Sequence, residues 1–124
     1  MNDRDGGARG QATLELALVL PLVLAITLLV VQVGLVVRDH QLVLNAAREG
    51  ARSAATDPTL AAARQAAVNS GDLDGDRLAV ALATDASTVT VTATYRSATD
   101  VPLIGPLLGD VTFTESVTMY REAP

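Results

Sequence analysis

The stretch RGQATLELALVLPLVLAITLLVVQVGLVV, Arg9 to Val37, decides how this chain is built. From Leu16 to Val37 it carries 22 residues without a charge. At about 1.5 Å of rise per residue these span about 33 Å as a helix, enough to cross a hydrocarbon core of about 30 Å. A cleaved secretory signal has a basic start, about 7–15 apolar residues and a small-residue cleavage site behind them. Here the start, MNDRDGGARG, is polar and glycine-rich, and the apolar run passes into RDHQLVLNAAREGAR with no Ala-x-Ala site. The segment is expected to stay attached as a single-pass anchor. Arg4 and Arg9 before it stand against Arg38, Arg48 and Arg52 after it, so positive charge leaves the orientation open.

Beyond the anchor, 87 residues remain, from Arg38 to Pro124. A domain of that size folds with a modest core and no deep internal cleft. Nine arginines and no lysine against 14 acidic residues leave a net charge of −5 with no basic run, so nucleic acid is not an expected partner. The absence of cysteine removes disulfides, thiolate nucleophiles and Cys-type zinc sites together. The single histidine, His40, has no second imidazole to form a metal pair, and reads as a solvated residue just outside the membrane. Neither a glycine-rich phosphate loop nor G-x-S-x-G is present, so no enzyme, cofactor or small-molecule substrate is expected. Asp72-Leu73-Asp74-Gly75-Asp76 has the alternate aspartates of a calcium loop. An EF-hand needs glycine at its sixth position and glutamate at its twelfth, where this chain has Arg77 and Ala83, so the stretch reads as a solvated turn.

Past Val37 the helical period continues, with Leu42, Ala46, Gly50 and Ala54 four apart and Ala47, Ala51 and Ala55 beside them. Such a small-residue stripe (Ala46, Ala47, Gly50, Ala51, Ala54) lets another backbone approach closely, and is expected to pack on the domain or on a neighbouring helix. Asp57-Pro58 ends the element, and Thr59 caps a second helix to about Asn69, stopped by Ser70-Gly71. Leu78, Val80 and Leu82 then alternate with alanines, and Val89, Val91, Ala93 and Tyr95 alternate with threonines, with Asp85-Ala86-Ser87 as the hairpin turn. A third strand, Val111 to Tyr120, puts Val111, Phe113, Val117 and Met119 on one side, where Glu115 interrupts them and suggests a bulge or an edge. The expected fold is α+β: a long N-terminal transmembrane helix continuing into an alanine-rich helix, a short second helix, and a three-stranded antiparallel sheet. The apolar stretch Val101–Leu108 either folds under the sheet as core or is exposed to a partner or to the bilayer surface.

Glu15 stands at the edge of the apolar run, where a carboxylate either sits at the headgroup level near a helix N-terminus or has a specific partner. Gly10-Gln11-Ala12-Thr13-Leu14-Glu15, followed by an uninterrupted apolar helix, resembles the processing site of type IV prepilins. In those proteins a membrane peptidase cuts after the glycine, and the glutamate becomes the fifth residue of the mature chain. More narrowly, RGQATLELALVLP, the apolar run and NAAREGARSAA together resemble the TadE-like family of the tight adherence (Tad/Flp) pilus system. The resemblance covers about Arg9 to Ala55.

The major Flp pilins usually carry Tyr directly after the glutamate and lack a long extension; Leu16 and the 87-residue domain instead imply a minor pilin or pseudopilin. The resemblance divides the chain into a leader (1–10), a transmembrane helix (11–37) and an extracytoplasmic domain (38–124). It implies a cytoplasmic-membrane location with possible incorporation in the pilus, and it names the partners: the membrane, a prepilin peptidase, other pilins and the Tad assembly machinery. Gly10, Gln11 and Glu15 become the processing and assembly residues. The alternative is a generic single-pass, signal-anchored envelope binding protein unrelated to pili.

Overall fold

Residues 3–97 and 105–122 are described by the structure, a computed structural model. Helix α1 runs unbroken from Asp3 to Thr56 through Pro21. At 54 residues it is about 81 Å long, so its two halves work in different surroundings. Asp57-Pro58 stops it, and α2 follows at Leu60–Asn69. The Thr59 backbone is extended, and its hydroxyl accepts from the Ala62 amide, satisfying a donor that the first turn would leave open. Strands β1 (Leu78–Thr84), β2 (Thr88–Ser97) and β3 (Val111–Tyr120) make one antiparallel sheet in that order, and α3 is a single turn at Gly105–Leu108.

The sheet covers the second half of α1 with its alternate apolar residues. Val89, Val91, Ala93 and Tyr95 of β2 face inward and are buried, while Thr90, Thr92 and Thr94 face outward and pair with Thr118, Ser116 and Thr114 of β3. On the helix side the buried residues are Val43, Ala46, Ala47, Gly50, Ala51, Ala54 and Ala55, with Ala63 and Ala67 from α2. The largest fully buried side chains are valines, so area alone yields little per residue, and stability depends on how closely the backbones approach. At Gly50 the approach leaves no room for a side chain. A methyl group there would lie 3.0 Å from Val91 Cγ1 and 3.2 Å from the Ala63 carbonyl oxygen.

The strands run alongside α1, and both ends of the sheet are tied to it. At the far end the Glu122 amide donates to the Ala55 carbonyl and the Arg121 amide to Ser87. At the near end three consecutive residues just past the apolar run reach the turn after α2, strand β2 and strand β3. Arg38 pairs with Asp72 at 3.6 Å, Asp39 accepts a short hydrogen bond from the buried Ser97 hydroxyl, and His40 Nε2 meets Glu115 at 2.8 Å.

His40 is therefore not simply solvated. Its ring lies 5.2 Å from Phe113 at a 37° tilt and bonds to β3, because the inner face of that strand carries a carboxylate needing a partner. Glu115 causes no bulge: β2 and β3 stay in register from Thr88↔Tyr120 to Ser97↔Val111, and β3 is an edge strand. Of the apolar stretch Val101–Leu108, residues 101–104 lie outside the described residues. Leu107 in α3 is 81% exposed, so it is not core; α1 and α2 already fill the inner face of the sheet.

Two substitutions test this packing. Gly50→Ala gains up to about 1 kcal/mol of helix propensity but meets a carbonyl that cannot rotate away, an overpacking cost of about 1–3 kcal/mol. A net loss of about 1 kcal/mol lowers the domain's Tm by about 4–8 °C in detergent, whereas an unchanged Tm contradicts the close approach. Asp39→Ala strands the buried Ser97 hydroxyl and is expected to cost about 1–3 kcal/mol, against at most about 1 kcal/mol for Arg38→Ala in its exposed ion pair. Denaturant titration of the two variants reads the order directly.

Candidate processing and assembly site

Gly10, Gln11 and Glu15 all lie on α1, on surface exposed to the surroundings. Gln11 and Glu15 are four apart and share a face, with Gln11 Nε2 3.4 Å from Glu15 Oε1. That is too long for a strong hydrogen bond, so the carboxylate keeps most of its capacity for another partner. Thr13 Oγ1 donates to the Arg9 carbonyl at 2.9 Å, a bridge spanning the Gly10–Gln11 bond.

Cleavage of a peptide bond requires an accessible backbone, and a helix must open to present one. The residues around this bond favour opening. Gly6, Gly7 and Gly10 each weaken a helix by about 1 kcal/mol relative to alanine. A Cβ at any of the three would meet nothing within 4 Å, so the helix is unpacked at these positions.

After Glu15 the helix presents apolar side chains on all sides. The large hydrophobic residues with open side chains between Leu14 and Val37 are 43% to 71% exposed, and only 6% of the most apolar window is buried. The helix is long and apolar enough to cross a membrane. Thr27 returns its hydroxyl to the Val23 carbonyl at 2.8 Å, so its polar group is satisfied within the helix. Gln32 differs: it is 2% exposed, and its Oε1 has no hydrogen-bond partner among the described residues. It stands seven before Asp39 and eleven before Val43, on the helix face that carries the domain, a position the uncharged run itself did not single out.

The small-residue face lies inside the domain. Ala46, Ala47, Gly50, Ala51 and Ala54 are all buried, against α2 and β2 rather than against lipid or another chain. The contacts of Asp39 and His40 had no sequence signal of their own; the one clue was Glu115 on the apolar side of β3. In the aspartate-rich turn, Asp74 Oδ1 accepts from the Asp76 amide at 3.0 Å and Asp72 serves Arg38.

Residues 10–52 match the family described as TadE-like protein. The match starts at Gly10 and takes in Glu15, the apolar run, Arg38 to His40 and most of the packing face. No curated protein and no solved structure matches the chain significantly. The similarity to the TadE-like family thus lies in residues 10–52, the part of α1 that joins the candidate cleavage site to the folded domain.

Proposed function

We propose that this protein is a membrane-anchored minor pilin or pseudopilin of a Tad/Flp-type pilus, processed by a prepilin peptidase after Gly10. One observation carries the reading: the TadE-like segment begins at that glycine and runs, within a single helix, through a bare apolar surface into a domain locked to the same helix. A water-soluble protein does not leave so large an apolar surface uncovered. Lipid covers it while the protein is in the cytoplasmic membrane, and the helices of other pilins cover it in an assembly. The role is structural rather than catalytic.

The chemistry at the start of the helix supplies the assembly step. Residues 1–10 meet the peptidase at the cytoplasmic face, which places residues 38–124 outside the cytoplasm. Cleavage creates an amine at Gln11, cationic at neutral pH because an ordinary α-amino group has a pKa near 8. Glu15 of one subunit pairs with that amine of its neighbour, a head-to-tail contact that extends as a helical assembly instead of closing. The unbroken helix to Thr56 then fixes where each domain stands relative to its Glu15.

In cells carrying the matching peptidase, intact mass is expected to place Gln11 at the N-terminus, with Gly10→Ala retaining the leader. A mature chain beginning at Met1 or Asn2 rejects the reading in favour of a generic anchor. Glu15→Gln keeps size and polarity but leaves the neighbour's amine without its counter-charge, at about 3–5 kcal/mol in a low-dielectric setting. This variant is expected to be inserted and cleaved normally while its co-purification with other pilins falls a hundredfold or more. Wild-type recovery returns Glu15 to a helix-start role worth about 1 kcal/mol at most.

A further inference from the structure

The end of the domain nearest the apolar run does not stop where that run stops. The buried face of α1 continues from Ala46 and Val43 through Asp39 to Val36 and Leu28, both half-buried, and to Gln32, which is 2% exposed. Gln32 lies five residues inside Val37, about 7.5 Å along the helix axis. The domain therefore overhangs the last turns of the apolar segment on this face, while Val31, Val33 and Leu35 on the other faces stay exposed.

The same end carries α3. Ser97, the last residue of β2, is bonded to Asp39 and registered with Val111, the first of β3. Arg96 holds Asp110 at 3.6 Å, so the chain re-enters the sheet level with the exit of α1 from its apolar run. Leu107 precedes Asp110 by three residues, at most about 11 Å of chain. It is 81% exposed and Pro106 beside it is exposed too, although neither side chain has a polar group to offer water.

We propose that this end of the domain is a second membrane contact, seated in the headgroup region beside α1, with Leu107 inserted at the boundary of the acyl chains. The overhang selects lipid as the occupant: if Val37 marks the hydrocarbon edge, a domain covering Gln32 already reaches about 7.5 Å inward, within the 5–10 Å depth at which interfacial elements lie. Arg96 and Asp110, both more than half or half exposed, stand beside it at the polar level. With α1 and this end both held, the domain has a fixed tilt on the bilayer before assembly. The inference rests on α1 being a spanning helix.

The chain has no tryptophan and no cysteine, so single reporters are clean. Leu107→Trp, Leu60→Trp and Leu24→Trp are each placed in the full chain and reconstituted in phosphatidylethanolamine–phosphatidylglycerol vesicles, with and without brominated acyl chains. Leu60 is 51% exposed and sits past the far end of α1; Leu24 lies within the apolar run. The expected result is that brominated lipid at least halves the emission of Leu107→Trp and of Leu24→Trp, while Leu60→Trp is quenched only by aqueous iodide. Iodide quenching of Leu107→Trp with no effect of brominated lipid overturns the second contact and leaves the spanning helix intact. A blue-shifted Leu107→Trp that ignores brominated lipid shows a protein neighbour instead, and also overturns it. Failure of Leu24→Trp to be quenched by lipid removes the spanning helix and the inference together. A spin label on Leu107→Cys supplies a second readout: greater collision with oxygen than with a water-soluble nickel complex supports the contact, and the reverse rejects it.

Discussion

Backbone approach at Gly50 is the constraint on which the domain depends. With no side chain there, α1 comes within contact of Val91 on β2 and of the Ala63 carbonyl on α2. The alanines on either side extend the same close contact along the helix, so that three elements meet over a core of valines and alanines. Dispersion falls off steeply with separation, and a gap of even about 1 Å forfeits a quarter to a half of it. A core built from small residues holds only while the backbones stay close, which makes the helix–sheet spacing the quantity that every other contact inherits.

That spacing also sets where the strands begin and end. With β2 lying along α1, its last residue arrives at Asp39 and the residues after β3 arrive at Ala55, so the sheet is tied to both ends of the helix's domain half. At the near end Arg38, Asp39 and His40 turn to one loop and two strands because consecutive helical residues are about 100° apart around the axis. Each of these groups is polar and follows directly on the apolar run. The change from lipid-compatible to water-compatible surface is therefore completed within three residues, and the same residues fasten the domain. The helix is continuous across this junction, so under the proposed reading the position of Glu15 is carried along one element to the domain.

Much of this was legible along the chain. The cap at Thr59 followed from its place before an alanine-rich run, and the alternation of threonine with valine identified β2 and its inward face, because both signals are local. Glu115 was harder. On sequence it interrupts an apolar strand face, and the two local remedies are a bulge or an edge; the structure uses an edge strand and, in place of a bulge, a histidine 75 positions earlier in the chain. The apolar loop that holds Leu107 reads on sequence as core before surface, and Leu107 is exposed because hydrophobicity does not say whether space remains under a sheet that two helices already cover.

The sequence by itself determined the class of the protein: an uncharged run of membrane length, a glycine–glutamate start, a stripe of small residues, and strand patterning, all of them periodicities or spacings within a short window. Only the tertiary structure decided that the small-residue stripe serves its own domain, that His40 answers Glu115, and that Gln32 is covered although it lies within the apolar run. Those outcomes depend on which surfaces compete for one helix face. Such a competition is settled by backbone distance and available volume between segments far apart in the chain, and neither quantity is written in the order of the residues.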